Sequence, residues 1–444
     1  MKTIIIQILK LSFVCCSPFI VLGQQLNVKD YGAKGDGSSD DYSAIKKVVE
    51  LVNNNKKGEV YFPPGEYYIA EYHNGKNDIQ DFEFKNCDGL KIYGKEAKIK
   101  LNGNYNRTLS RQGAKHAFSN IAAIIPIKIM NCKNVSIENI EINGDVNETT
   151  RDKGIVEGNG YLIMISQSDN VYLHNLNIHH AQTDGLLIRG GDQPSTNIRA
   201  LNVISSNNAR QGMSISSLDS ATFDNCKFIN TGFTSGNYGN HGPSAGVDIE
   251  PNSGKQFVQN LHFRKCIFEN NLGSQFVCSS PIATKNVYLD NCIFNSGDSS
   301  SKYSIIINAV NVVFTNCNFD CKNGSIYPVW HTEGTSAIFK KCTIKSNNSG
   351  FVATDVLETN SVLIDSCDLE YTGVKKVPSY FPYLRLQGLS FTNNTIHIPE
   401  QYYKNQGFTA LIQKAKLVSN NTFINNERFP QSKISLQGSN LIKK

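Results

Sequence analysis

Residues 287–294 read VYLDNCIF, and residues 312–319, one repeat later, read VVFTNCNF. Similar eight-residue segments begin at residues 135, 171, 196, 221, 261, 337, 362, 389 and 416. Most neighbouring segments start 25 to 27 residues apart, and two intervals are longer, at 36 and 40 residues. Short apolar segments that recur at this period between Asn, Gly and Ser turns predict a solenoid whose repeats stack as successive coils.

Within each segment the sixth and eighth residues are apolar or cysteine, as in Cys292 and Phe294. This alternation is typical of a strand with one buried face. An asparagine often precedes the sixth residue, for example Asn139, Asn175 and Asn291, where its amide can bond to its counterpart one coil away. The pattern is similar to the asparagine ladder of right-handed parallel β-helices. We therefore predict an all-β fold, a right-handed single-stranded parallel β-helix, whose coils leave no room for the helices of a doubly wound α/β fold.

The first 23 residues have the composition of a signal peptide. Lys2 and Lys10 precede a hydrophobic run from Leu11 to Leu22, and Gly23 suits the cleavage site. The run is too short to span a membrane. We expect an exported protein, secreted or periplasmic after cleavage near Gly23, that has no membrane span and acts as a monomer. Residues 24–85 are then expected to cap the β-helix, and residues 86–444 to form its coils.

Ten of the twelve cysteines follow the predicted signal peptide. Six of them take the same inward position in consecutive coils, namely Cys226, Cys266, Cys292, Cys317, Cys342 and Cys367. Stacked neighbours would point their Cβ atoms in the same direction, which is poor geometry for a disulfide. We therefore predict that these cysteines are small apolar core residues.

The formal charge is +6, and it falls to +4 once Lys2 and Lys10 are removed with the signal peptide. This mild positive balance is compatible with an acidic polymer as partner. Because the sequence contains no basic run, we expect no nucleic acid as partner.

Residues 26–70, LNVKDYGAKGDGSSDDYSAIKKVVELVNNNKKGEVYFPPGEYYIA, predict a strand, a glycine-rich turn, a short helix and a strand. Ser39, Asp40 and Asp41 are expected to cap that helix. The segment strongly resembles the amino-terminal cap of the pectate lyase superfamily, which includes pectate lyases, polygalacturonases and alginate epimerases. The resemblance implies a β-helical carbohydrate-active enzyme, although a fold shared by many enzymes does not specify the reaction.

The motifs of two branches of that superfamily are absent. Of the four polygalacturonase motifs, the chain offers only Gln182-Thr183-Asp184 at the position of Asn-Thr-Asp. The Asp-Pro-His motif of the alginate epimerases is missing as well. The site must therefore be found from the coils themselves.

The two long intervals place insertions at the same corner of the coil. Gly185 lies seven positions after Ile178, whereas Gly160 lies eighteen positions after Ile142 and Gly246 lies eighteen after Phe228. The insertions begin three coils apart, or roughly 14 Å along the axis. They predict the two walls of a groove that accommodates a few sugar units.

Strand alternation predicts the floor of this groove. After each glycine the first and third residues point inward, so the second and fourth point outward. The outward set is Leu187, Arg189, Ser214, Ser216, Asp248 and Glu250, with Asp184, Arg210 and Gln211 at its edge. Around it lie Tyr238 and His241 in the second insertion, His180 at a turn, and Arg111 and Lys115 on the amino-terminal side.

This inventory fits β-elimination on a uronic-acid glycan. The reaction requires neutralisation of the C5 carboxylate, a base for the C5 proton and an acid for the oxygen that leaves C4. We assign Arg189 and Arg210 to the carboxylate, and His241 or Tyr238 to base or acid. Asp248 and Glu250 are expected either to tune the histidine or to hold calcium. The remaining side chains are expected to contact the substrate: Gln211, Ser214, Ser216, His180, Arg111 and Lys115.

Two other functions remain open at this stage. A glycoside hydrolase would use Asp184 with Asp248 or Glu250 as acid and base. A non-catalytic β-helix would only bind glycans, with its charges forming a solvated strand face. The sequence also leaves open whether elimination cleaves the chain or releases water from a chain end, giving a 4,5-unsaturated sugar in either case.

Overall fold

The structure is a computed structural model of the 444-residue chain. It describes residues 25–69, 81–101, 108–110, 119–121, 125–148, 160–233, 242–252, 254–280, 283–322, 324–327, 333–347, 350–356, 360–372, 380–386, 388–397, 409–413, 415–424 and 440–443. The predicted signal peptide lies outside the described residues. Among those residues, no helix is both long and apolar enough to cross a membrane.

A small cap opens the fold. It contains the 3-10 helix Val28–Tyr31 and the α-helix Tyr42–Asn55, which buries Ile45 and Val48 against the first coil. The capping prediction is only partly right. Asp40 accepts a hydrogen bond from the Tyr42 amide, but Asp41 accepts from the amides of Lys34 and Gly35. Asp41 therefore orders the glycine-rich turn and makes no side-chain capping hydrogen bond to the helix.

Parallel strands form the rest of the described chain, in a right-handed parallel β-helix. The largest sheet covers two faces and contains Gln25–Asn27, Asp36–Asp40, Gly58–Phe62, Gly65–Ile69, Asp88–Leu101, Lys133–Asn143, Asp169–His179, Ser195–Ser206, Leu218–Asp224, Lys227–Ile229, Val258–Arg264, Ile267–Glu269, Thr284–Asp290, Ile293–Asn295, Val310–Thr315, Asn318–Cys321, Ser336–Lys340, Thr343–Ser346, Ser361–Asp365, Asp368–Tyr371, Leu389–Thr392, Thr395–His397, Leu417–Ser419, Asn421–Ile424 and Asn440–Lys443. Each strand pairs in parallel with its counterparts in the neighbouring coils, which confirms the predicted architecture.

The third face is a nine-stranded parallel sheet within the described residues. Its strands are Glu83–Lys85, Ile127–Met130, Ile163–Ser166, Asp184–Arg189, Gln211–Ile215, Val247–Ile249, Phe276–Cys278, Tyr303–Ile307 and Ser325–Tyr327. Three later strands, Val352–Val356, Tyr380–Leu386 and Thr409–Gln413, form a separate parallel sheet. The remaining described elements are the antiparallel pair Thr108–Ser110 and Ser119–Ile121 and the 3-10 helix Val146–Glu148.

Asparagines turn the corner between the two faces of the largest sheet. Asn139, Asn175, Asn202 and Asn225 have φ between 50° and 57°. Each of the last three donates from Nδ2 to Oδ1 of the one before, at 3.0, 2.9 and 2.8 Å. The predicted ladder is therefore confirmed, because a left-handed corner suits Asn and each amide satisfies its neighbour.

The ladder also corrects the predicted strand register of the segment that begins at residue 196. Val171 pairs with Ile198, two residues beyond the predicted partner Thr196. The inward residues of this coil are therefore Val203 and Ser205, while Leu201 lies on the outer face. Sequence periodicity alone missed this shift, because Leu201 and Val203 also fit the apolar pattern.

Cysteine and phenylalanine form columns in the core. All ten described cysteines are free and buried, which confirms the prediction for the six stacked ones. The thiols of the six stacked cysteines donate to backbone carbonyls of the preceding coil, for example Cys317 to Leu289 at 3.2 Å. Phe268, Phe294 and Phe319 stack with ring centroids 4.7 Å apart, so the coil repeat also fixes the aromatic spacing.

Candidate active site

Outward side chains on the nine-stranded sheet form three rows across neighbouring coils. The rows are Asp184 and Gln211; Leu187, Ser214 and Asp248; and Arg189, Ser216 and Glu250. The first row lies outward because the glycine that follows each member faces the crowded interior. A Cβ on Gly212, for instance, would lie 2.5 Å from the Gly246 carbonyl oxygen. The predicted floor is therefore assembled from three consecutive coils.

The side chains of these rows differ in how far they are buried. The predicted inward side chains Leu186, Ile188, Met213, Ile215, Val247 and Ile249 are all buried. Arg189 and Glu250 are exposed, and Ser214 and Ser216 are half-buried. Asp248 differs from the open floor position expected for it, because only 4% of the residue is exposed.

A cleft of about 450 Å³ opens over this floor. Its lining includes eight of the side chains singled out from the sequence: Leu187, Arg189, Arg210, Gln211, Ser214, Ser216, Asp248 and Glu250. Gly242 and Pro243, at the end of the second insertion, also line it. Tyr238, His241, Arg111 and Lys115 lie outside the described residues, so their predicted roles stay predictions.

Asp184 lies beneath the cleft and forms a buried ion pair. Arg210 donates to its two oxygens from Nε at 2.7 Å and from Nη2 at 2.6 Å, and Ser214 Oγ donates to Oδ2 at 2.6 Å. Asp184 is fully buried. This differs from the sequence expectation for both residues. Arg210 directs its fork at a protein carboxylate rather than a substrate carboxylate, and Asp184 has both oxygens engaged.

Asp248 is the unusual titratable group of the cleft. Its Oδ2 contacts Gln211 Nε2 at 2.7 Å, whereas its buried Oδ1 has no hydrogen-bond partner among the described residues. Burial, followed by the nearby charges of Glu250 and Asp184, raises the pKa of Asp248 to about 7. A carboxyl group with such a pKa can exchange protons efficiently near neutral pH.

Asp248 and Glu250 form an incomplete ligand set for the calcium ion that the sequence left open. Calcium takes about six to eight oxygen ligands. Within the described ranges, no group of three or more His, Cys, Asp or Glu side chains could hold a metal ion. Asp248 and Glu250 alone therefore do not fit a calcium site.

His180 lies at a turn and not among the residues that line the cleft. Its Nδ1 lies 2.6 Å from His179 Nδ1, and His179 Nε2 lies 3.3 Å from Glu141 Oε1. Burial lowers the pKa of both histidines. The expectation of substrate contact by His180 therefore gains no support from its position.

Sequence reasoning missed Tyr161, Asn252 and Gln256, which also line the cleft. Tyr161 directly follows Gly160, where the first insertion ends. Asn252 and Gln256 belong to the polar turn after Glu250, in which the Asn252 amide donates to Gln256 Oε1 at 2.9 Å. Their positions next to the insertion and the floor were the available signals.

Known proteins match this chain in two ways. A family model described as "Rhamnogalacturonase A/epimerase, pectate lyase-like" matches residues 25–80. Alginate lyase 7 of Azotobacter vinelandii is 46% identical over 46 residues, which are 10% of this chain and 5% of that protein. Mannuronan C5-epimerase AlgE6 of the same organism is 50% identical over 44 residues, again 10% and 5%. The matches thus span about a twentieth of the length of these relatives.

A solved structure covers almost the whole chain. The surface adhesin PfbA of Streptococcus pneumoniae is 15% identical, with a TM-score of 0.51 over 95% of this chain and 93% of that one. The stacked parallel coils define the chain as a right-handed parallel β-helix protein. Its cap, residues 25–80, is similar to the pectate lyase-like family described by that model.

Proposed function

We propose that the protein is an exported enzyme that processes a uronic-acid-containing glycan by β-elimination in this cleft. One observation carries the proposal: a buried carboxyl group with a pKa of about 7, Asp248, lies in a cleft that also presents the exposed Arg189. The named activities of the two Azotobacter relatives, on alginate and mannuronan, support an acidic glycan as substrate.

In the proposed reaction Arg189 binds the C5 carboxylate of the sugar and withdraws charge from C5. Ionised Asp248, which lines the cleft, takes the C5 proton. Electrons of the C5–H bond form the C4–C5 double bond as the C4–O bond breaks. The leaving oxygen takes a proton from an acid, for which Tyr238 or His241 of the second insertion stays the sequence-based candidate. The raised pKa makes Asp248 a stronger base than an ordinary carboxylate.

Hydrolysis is the second candidate, because the floor carries three carboxyl groups and the family description includes a rhamnogalacturonase. Neutral Asp248 would then be the acid and Glu250 the base that activates water. Alternate residues of a strand lie roughly 6.5 to 7 Å apart, at the lower edge of the range for inverting enzymes. Asp184 is a poor base here, since Arg210 and Ser214 engage both of its oxygens.

Incubation with pectin, alginate, ulvan and glycosaminoglycan oligosaccharides tests the proposal. We expect an ultraviolet-absorbing unsaturated product from one class, with activity falling as the pH drops below about 7 because a protonated base is inactive. New reducing ends without ultraviolet absorbance, and activity lost above that pH, would establish hydrolysis instead. Binding of an oligosaccharide whose mass does not change would show that the protein binds glycans without converting them.

Replacing Arg189 by methionine should weaken the use of acidic oligosaccharides in particular. A lost charge-assisted hydrogen bond of about 1.5 to 3 kcal/mol corresponds to roughly a tenfold to hundredfold rise in KM. Steady-state kinetics on an active oligosaccharide and on its carboxyl-reduced form measure the effect. Arg199→Met, which removes an exposed arginine from another face of the β-helix, is the control. An equal loss of activity on both substrates would mean that Arg189 does not recognise the carboxylate.

A further inference from the structure

Ser214 and Gln211 connect the two carboxyl groups of the site. Ser214 Oγ lies 2.6 Å from Asp184 Oδ2 and also contacts Gln211 Oε1, while Gln211 Nε2 lies 2.7 Å from Asp248 Oδ2. Turning the Gln211 amide by about 180° exchanges its oxygen and nitrogen. The direction of these bonds therefore depends on which groups hold a proton.

The hydroxyl of Ser214 carries a single proton and has two acceptors to choose from. Asp184 already accepts from both nitrogens of the Arg210 fork, so it offers no proton in return. When Ser214 donates to Asp184, its oxygen can only accept from Gln211. The Gln211 nitrogen then faces Ser214, its oxygen faces Asp248, and Asp248 Oδ2 must hold the proton between them.

Ionised Asp248 requires the opposite arrangement. The Gln211 nitrogen must donate to Asp248 Oδ2, so its oxygen faces Ser214 and draws the hydroxyl proton away from Asp184. Ionisation thus removes one of the three hydrogen bonds that the buried Asp184 carboxylate accepts. Loss of a charge-assisted bond at a buried carboxylate is unfavourable, so this network favours the neutral form of Asp248.

We infer that Gln211 and Ser214 are positioning residues that form a proton-linked switch, in which the Gln211 amide turns when Asp248 gains or loses its proton. Both residues were expected from the sequence to bind substrate, and the switch gives them a different role. The catalytic meaning of the switch rests on the proposed function, whereas the direction of its hydrogen bonds does not.

Other charged and titratable groups near Asp248 set the background for this switch. Glu250 lies on the same strand, and Asp184 and Arg210 belong to earlier coils. Arg189 lines the same cleft, and Cys278 follows in the next coil. None of these groups contacts the Gln211 amide among the described hydrogen bonds, so substitutions at Ser214 probe the switch itself.

The decisive variant is Ser214→Ala, studied without substrate. With the hydroxyl gone, the Gln211 nitrogen can donate to ionised Asp248 without drawing a Ser214 proton away from Asp184. We therefore expect the pKa of Asp248 to fall by about one unit. Carbon-13 NMR of aspartate-labelled full-length protein measures it, with Asp248→Asn assigning the signal. Ser214→Thr keeps the hydroxyl and should retain the parent pKa. An unchanged or raised pKa in Ser214→Ala would overturn the switch.

Wild-type protein gives a second measurement that needs no substitution at Ser214. Nuclear Overhauser contacts of the Gln211 amide protons should point to Ser214 at pH 5 and to Asp248 at pH 9. An amide that keeps the same contacts at both values contradicts the proposal. Turning of the amide in a protein that processes no acidic glycan would retain the switch and reject the proposed function, so the two failures are distinguishable.

Discussion

Replacing Asp248 by asparagine is expected to remove nearly all turnover and, at pH 8, to stabilise the folded protein. Removal of a general base costs about a thousandfold in rate. The asparagine side chain is isosteric with the neutral acid, and its amide can donate to Gln211 as the protonated carboxyl does. Activity on the glycan identified in the oligosaccharide panel measures the first effect, and denaturant unfolding measures the second.

The sign of the stability effect follows from the raised pKa of Asp248. In the folded state this pKa is about 7, against the ordinary value of 3.8. The folded protein therefore holds the proton more tightly, and stability falls as pH rises from about 4 to about 7. At about 1.4 kcal/mol per unit, the wild type loses up to about 4 kcal/mol over that window. Asp248→Asn should lack this one contribution to the pH dependence, so its advantage over the wild type is present at pH 8 and absent below pH 4.

Asp298→Asn provides the matched control for this experiment. Asp298 is exposed and lies in a turn after the strand Ile293–Asn295, away from the residues that line the cleft. Its substitution should preserve both turnover and the pH dependence of unfolding. If Asp248→Asn unfolded at the same denaturant concentration as the wild type at pH 8, the carboxyl group would be ionised without cost, and its assignment as a tuned base would fail.

The repeat alone was enough to predict the fold, because a coil of fixed length repeats the same inward positions. Where an interval is regular, Cys292 and Cys317 fall into one column without further information. The prediction went wrong at residue 196, because the predicted frame, with Leu201 and Val203 inward, is more apolar than the actual frame, with Val203 and Ser205 inward. The asparagine corner decided that register, since Asn202 takes part in the ladder and fixes Ile198 opposite Val171.

The candidate site was predictable only in part. Alternation placed Ser214, Asp248 and Glu250 outward, because the direction of a strand side chain follows from its position. It could not show that Arg210 reaches back to Asp184, since that contact depends on the conformation of a long side chain across coils. Nor could it show the burial of Asp248, which depends on the close packing of its neighbours in the folded chain.

The buried pair of Arg210 and Asp184 should matter far more to stability than an exposed pair of the same geometry. Arg210→Met leaves the fully buried Asp184 carboxylate without its counterion, and breaking such a pair costs about 3 to 5 kcal/mol. Arg264 forms the same fork to Asp224, at 2.6 and 2.5 Å, but the two side chains are 54% and 31% exposed. Arg264→Met should therefore cost less than about 1 kcal/mol.

The double variant Asp184→Asn with Arg210→Met separates charge from packing. If an uncompensated buried charge causes the loss, neutralising Asp184 should recover most of the free energy of unfolding that Arg210→Met removes. Denaturant unfolding of the wild type, the two single variants and the double variant at pH 7 measures these differences. Equal costs at Arg210 and Arg264 would mean that water reaches Asp184, and the Ser214 hydroxyl would then lose the buried acceptor on which the switch depends.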